Sequence, residues 1–172
     1  NNEVRNDDND GIFFNSRGTQ STTDRYWLRL TTPLNKFNTT TVVYKEGASN
    51  NFDDYDSQLP IVGSDSFYSI IDDKKLAIQG RYPFLLTDKV PLGIIAYQQG
   101  NHTITLNKKE GVFNEGQAVY LYDKLSASYT NLQNGGYTFN TSAGTDDTRF
   151  EIVYQISVLA TDKVAKESVV VY

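Results

Sequence analysis

Residues 50–56, which read NNFDDYD, hold a dense group of oxygen ligands. Carboxylates at Asp53, Asp54 and Asp56 lie within this one short loop. Calcium takes about six to eight oxygen ligands from carboxylates, carbonyls and water, so the loop could supply part of a coordination shell. The alternative is that these side chains accept N–H groups of their own backbone and thereby order the loop. The sequence names Asp53, Asp54 and Asp56 as candidate calcium ligands, with turn formation as the alternative.

Aromatic side chains in the expected strands are a second candidate site. The candidate ligand-binding residues are Trp27, Tyr97, Tyr120 and Tyr122, and Tyr129 occupies a similar position. A sheet face that carries tyrosines can form a platform on which a sugar ring stacks. Packing in the core or between neighbouring strands explains the same rings without a ligand. Glycan recognition is therefore a hypothesis about these side chains, which the fold alone does not imply.

Residues suited to covalent catalysis are scarce. A Ser, Thr or Cys nucleophile needs an adjacent base that a third group orients. The chain has one histidine, His102, in an expected turn where we expect a solvated side chain, and it has no cysteine. Many acidic residues occur in turn-like pairs such as Asp72-Asp73 and Asp146-Asp147, where they bond to their own backbone. We therefore expect a protein that is not an enzyme.

Composition restricts the partners further. The net charge is −5 at pH 7, whereas a basic patch is the expected footprint of a nucleic-acid-binding protein. We therefore expect no nucleic-acid partner. No run of about 18 apolar residues occurs, so we expect no transmembrane segment. Twelve tyrosines and nine phenylalanines, together with abundant Thr and Val, favour strands over helices.

The elements that position these side chains read as strands. Alternation places Tyr26, Leu28 and Leu30 on one face, and no segment carries a helical apolar period. Residues 76–106 contain three apolar runs between Pro and Gly breaks, which predicts three consecutive strands of an antiparallel sheet. Asn134-Gly135-Gly136 predicts a hairpin between residues 129–132 and 137–140.

About ten short strands, with turns roughly every 8–12 residues, favour an all-β fold. We expect an antiparallel β-sandwich, jelly-roll-like in arrangement, over residues 11–155. The polar residues 1–10 predict a flexible lead-in.

An ordered set of short segments resembles a domain of surface and secreted proteins of the Bacteroidetes, especially flavobacteria. That domain commonly precedes a C-terminal sorting domain of the type IX secretion system. The matching segments are residues 26–31, 44–49, 52–53, 55–56, 68–70, 78–81, 83–84, 90–93, 120–123, 137–139 and 149–154. The resemblance covers residues 25–155, and residues 156–172 look similar to a linker and the first strand of such a sorting domain, here truncated.

The resemblance implies a β-sandwich module of an exported protein, at the outer cell surface or outside the cell. Its expected role is non-catalytic: adhesion, or spacing before a sorting signal, as a monomeric module of a larger protein. The alternative is a carbohydrate-binding module of a secreted multidomain enzyme. The expected partner is a glycan, or a host or substrate surface.

Overall fold

The computed structural model describes residues 23–60 and 63–156. Within them the chain forms eleven strands and a single 3₁₀ turn at Gly111–Phe113, which confirms the all-β prediction. The expected lead-in over residues 1–10, and residues 157–172 of the expected linker, lie outside the described residues. The strands are β1 (Asp24–Thr31), β2 (Phe37–Tyr44), β3 (Ser57–Gln58), β4 (Ser66–Ile71), β5 (Lys74–Arg81), β6 (Lys89–Ala96), β7 (Gly100–Glu110), β8 (Tyr120–Asp123), β9 (Ser128–Asn131), β10 (Tyr137–Thr141) and β11 (Gly144–Val153).

One sheet holds all the described strands, in the order β10-β7-β1-β2-β5-β4-β6-β11-β8-β9, with β3 added to β5. The predicted sandwich with a jelly-roll arrangement is therefore not confirmed. The prediction of a purely antiparallel sheet is wrong, because β2 and β5 run parallel. The long connection between them, which contains β3 and β4, allows the chain to return in the same direction.

Two predicted pairings are also wrong. β9 and β10 do not form a hairpin, because β9 pairs with β8 and β10 pairs with β7. The strands of residues 76–106 are not neighbours: β4 lies between β5 and β6, and β7 lies between β10 and β1. Turn residues indicate where a strand ends, whereas the choice of partner depends on contacts between residues far apart in the sequence.

Strand alternation determines which side chains enter the core. Tyr26, Leu28 and Leu30 are fully buried, as the period of two predicts. Phe150 and Ile152 of β11 are buried on the same inner face of the curved sheet. Within the described residues, no helix has the length and apolar character needed to cross a membrane.

Three buried tyrosines share hydroxyl hydrogen bonds at one end of the core. The Tyr154 hydroxyl lies 2.7 Å from that of Tyr26 and 2.6 Å from that of Tyr44. Tyr44 also donates to Asp88 at 2.7 Å, and Arg81 donates two hydrogen bonds of 2.6 Å to the same carboxylate. Burial raises the pKa of all three tyrosines, so their hydroxyls stay protonated. This network anchors the β5–β6 loop to the core.

Side chains join the two ends of the curved sheet. Arg149 of β11 donates to both carboxylate oxygens of Asp123 on β8, at 2.9 and 2.8 Å. Tyr137 of β10, at the opposite end of the strand order, donates to Asp123 at 2.6 Å. Phe139 and Phe150 pack beside them with ring centroids 4.6 Å apart. We call Asp123, Tyr137 and Arg149 the seam.

The Asp123 carboxylate should make the free energy of unfolding depend on pH. Burial alone would raise the pKa of Asp123, but hydrogen bonds from Arg149, Tyr137 and the Leu125 N–H, with the Arg149 charge, lower it to about 2. The unfolded pKa is about 3.9, so the stabilisation is present above about pH 4 and is lost as the pH falls towards 2. We expect it to contribute about 2 kcal/mol to the free energy of unfolding.

Urea unfolding at several pH values between about 6 and 2.5 measures this effect, with Asp123→Asn as the comparison. The variant should be less stable at pH 6 and lose less stability below pH 4. If both proteins lose the same free energy of unfolding between about pH 6 and pH 2.5, the Asp123 carboxylate is not the source of the pH dependence.

Gly93 of β6 leaves room for Tyr68 of β4 to contact Asp147 of β11 on the outer face of the sheet. It lies opposite Tyr68 of β4 in the strand register, and Tyr68 donates to Asp147 at 2.5 Å. A Cβ atom at position 93 would overlap the Tyr68 ring and lie 2.5 Å from the Asp147 carboxylate. The missing side chain therefore allows β4 and β11 to make contact across β6.

Gly93→Ala should lower the free energy of unfolding by about 1–3 kcal/mol, because the Tyr68 ring must move. Gly63→Ala is the matched control, since the nearest atom to its Cβ would be 3.6 Å away. Equal urea midpoints for the two variants would refute the packing argument.

Candidate functional site

The four candidate aromatic residues lie in three separate places. Trp27 lies on the outer face of β1, with the Arg25 guanidinium 5.0 Å and the Lys108 ammonium 4.6 Å from its ring centroid. These cation–π contacts already engage the indole ring. Tyr97 lies in the turn between β6 and β7 and is 64 % exposed. Neither residue therefore adjoins the pair on β8.

Tyr120 and Tyr122 face outward from β8, and among the residues that the structure describes only Tyr122 has a stacking partner ring. Tyr129 lies directly opposite Tyr122 on β9, with ring centroids 4.4 Å apart and planes inclined by 15°. The β9 strand ends the strand order, so no further described strand covers the far side of Tyr129. We call Tyr122 and Tyr129 the tyrosine platform.

Charged side chains adjoin the tyrosine platform. Glu151 of β11 lies opposite Tyr122 in the strand register, and its carboxylate is 3.6 Å from the Lys124 ammonium and 3.9 Å from that of Lys89. Burial, the neighbouring Tyr122 and Glu151 together raise the pKa of Tyr129, which keeps its hydroxyl protonated. The platform thus combines ring faces with a carboxylate acceptor and ammonium donors.

A polar pocket lies between the connection from β10 to β11 and the turn that joins β8 to β9. We call it the hairpin pocket, after the β8–β9 hairpin; its volume is about 380 Å³ and its lining includes Leu125, Asn140, Thr141, Ser142, Thr145, Asp146 and Arg149. An adjoining pocket shares Leu125, Asp146 and Arg149 and adds Lys124. Lys124 also contacts Glu151 beside Tyr122, so it connects the platform to the hairpin pocket, and we call the two together the combined surface.

The polar groups at the base of this pocket are fixed in position. Arg149 is held by Asp123 and donates a third hydrogen bond to the Asn140 carbonyl at 3.2 Å. One Asp146 oxygen accepts the N–H groups of Thr148 and Arg149, each at 3.1 Å. These bonds occur at an irregularity in the β11 register between Asp146 and Phe150. The seam therefore also holds the hairpin pocket in shape.

Two carboxylates of the acidic loop, residues 50–56, accept backbone N–H groups of the loop and of β5. Asp53 accepts the N–H groups of Ser49 at 2.7 Å and Tyr55 at 2.9 Å, and Asp56 accepts those of Asp53 at 2.8 Å and Gly80 at 2.9 Å. Backbone and Ser49 hydrogen bonds lower the pKa of Asp53. In the described ranges, no three His, Cys, Asp or Glu side chains are placed to hold a metal ion. The geometry favours turn formation by Asp53 and Asp56, and calcium binding by Asp53, Asp54 and Asp56 gains no support.

His102 is not the solvated turn residue that we expected. It lies on β7 and is 1 % exposed, because its ring faces inward and stacks on Phe139 at a centroid distance of 6.0 Å. Its Nδ1 donates to the Gly100 carbonyl at 3.1 Å, since a carbonyl can only accept. The ring is therefore part of the core packing rather than of a surface site.

The sequence identified one half of the combined surface. Tyr122 and Tyr129 stood out as aromatic residues in strands, but Lys124, Glu151 and Arg149 did not. The available signal was the stretch 140–149, where hydroxyl and amide side chains precede an arginine. Its position beside β8 depends on the β8–β11 register, which no local pattern gives.

Comparison with known proteins identifies the family. A family model described as "Domain of unknown function (DUF8693)" matches residues 1–154. No curated protein matches the chain. No solved structure matches it either.

Asp53→Ala should lower the unfolding temperature, because it removes the acceptor for the Ser49 and Tyr55 N–H groups. If the loop is structural, the decrease is the same in calcium and in chelator. Thermal melts of both proteins in about 5 mM calcium or EDTA measure it, with Asp73→Ala, which removes a carboxylate that is 96 % exposed and outside the loop, as the matched control. A calcium-dependent rise that Asp53→Ala abolishes would restore the metal site.

Proposed function

The chain belongs to the DUF8693 family, and we propose that it is a non-catalytic binding module that recognises glycans through the tyrosine platform. The observation that carries this proposal is the stacked pair Tyr122 and Tyr129, which stands on the outer face of a terminal strand pair. Sugar rings present flat C–H faces, and these stack on aromatic rings. A half-buried ring on β9, which ends the order of the described strands, offers such a face to a ligand.

The polar neighbours support the same ligand class. Sugar hydroxyls both donate and accept hydrogen bonds, and Glu151 with Lys124 offers an acceptor and a donor beside the rings. Hydrogen bonds to charged groups are stronger than those between neutral groups, so these side chains can orient a sugar that the rings hold. Such sites combine apolar contact area with a few placed polar groups.

The proposed setting is an exported protein at the outer cell surface or outside the cell. The ordered resemblance over residues 25–155 to a Bacteroidetes surface-protein domain supports it. In that setting the module would attach its parent protein to a glycan, in adhesion or beside a secreted enzyme. A purely spacing role before a sorting signal is the competing proposal, and it requires no ligand at the platform.

Binding of neutral oligosaccharides to the full chain tests the proposal, measured by isothermal titration calorimetry after a glycan-array screen. For the best array ligand, Tyr129→Ala should weaken binding at least tenfold, because the exposed ring face is lost; a tenfold change is about 1.4 kcal/mol. Tyr129→Phe should retain most of the affinity, since it keeps the ring.

Tyr82→Ala is the matched control, because Tyr82 is 58 % exposed but lies at the β5–β6 loop, away from the platform. It should leave the affinity unchanged. Equal losses for Tyr82→Ala and Tyr129→Ala, or no binding to any glycan, would overturn the proposal and favour the spacing role.

A further inference from the structure

The lining of the hairpin pocket matches a polyhydroxylated ligand. Its lining combines the hydroxyl-bearing residues Thr141, Ser142 and Thr145 with the acidic Asp146 and the basic Arg149. These residue types offer both hydrogen-bond donors and acceptors, and the exposed Leu125 adds an apolar side chain to the lining. The volume of about 380 Å³ falls within the range of small-ligand sites.

The charges in and beside the pocket compensate one another. The Arg149 guanidinium is neutralised by the two oxygens of Asp123. Glu151 lies close to Lys124 and Lys89, and Asp146 adds a further negative charge on the pocket side. With net charge −5 on the whole chain, these groups give an anionic ligand no excess of cations to bind.

The hairpin pocket lies next to the tyrosine platform, and Lys124 connects the two. Lys124 lines the pocket that adjoins the hairpin pocket, and it contacts Glu151, which is opposite Tyr122. A ligand longer than one sugar unit can therefore lie on the platform and reach the pocket without crossing a strand.

We infer that the hairpin pocket is a second subsite of the glycan site and takes an uncharged sugar unit next to the one stacked on Tyr129. The inference rests on the proposed function, because the platform supplies the first subsite. The preferred ligand is an uncharged oligosaccharide of at least two units, bound more tightly than the corresponding monosaccharide and than an acidic oligosaccharide of equal length.

Calorimetric titration of the full chain with the mono-, di- and tetrasaccharide of the best neutral array ligand, and with a tetragalacturonate, tests this. Ser142→Trp fills the pocket from an exposed position in the connection between β10 and β11, and Thr145→Val removes one hydroxyl at constant shape. We expect Ser142→Trp to weaken tetrasaccharide binding at least tenfold and Thr145→Val about threefold. Binding of the monosaccharide should change less than twofold in both variants. Circular dichroism confirms that the variants fold.

The two proposals fail in different ways. If Tyr129→Ala weakens tetrasaccharide binding but both pocket variants leave it unchanged, the subsite is refuted and the platform stands. Tetragalacturonate binding as tight as that of the neutral tetrasaccharide would refute the uncharged ligand. If neither Tyr129→Ala nor the pocket variants weaken tetrasaccharide binding, or if no glycan binds, both proposals are refuted.

Discussion

The buried ion pair between Asp123 and Arg149 is the interaction on which the rest of the structure depends. It joins β8 to β11, and through Tyr137 and the Asn140 carbonyl it reaches β10, at the other end of the strand order. Removing two charges from water is costly, so such a pair persists only when its remaining groups are hydrogen-bonded. Here both Asp123 oxygens accept two bonds each, counting the Tyr137 hydroxyl and the Leu125 N–H.

The same pair connects the fold to the candidate site. Arg149 enters from the irregular part of β11, where Asp146 accepts two backbone N–H groups, and the hydroxyl-bearing residues between β10 and β11 line the same pocket as Leu125. Because Tyr122 and Lys124 flank Asp123 in the sequence, fixing Asp123 inward also directs Tyr122 outward. The tyrosine platform and the hairpin pocket are therefore positioned by one constraint.

Strand alternation made the faces predictable from the sequence, but not the partners. Tyr26, Leu28 and Leu30 follow a period of two, and one face of such a strand must be buried. The turn at Asn134-Gly135 predicted a hairpin between its flanking strands, yet Tyr137 pairs with Ile104, a residue 33 positions earlier in the chain. The same holds for the candidate site. The aromatic residues could be identified from the sequence, whereas the proximity of Glu151 to Tyr122 follows from the β8–β11 register, which the sequence does not give.

Mapping a bound neutral tetrasaccharide by amide chemical-shift changes in the full chain tests the central claim most directly. The account predicts that the largest changes lie in residues 120–131 and 140–151, on the platform and in the pocket. Changes concentrated at Trp27, at Tyr97 or in the acidic loop would contradict it. The absence of changes with every neutral glycan tried would contradict glycan recognition itself.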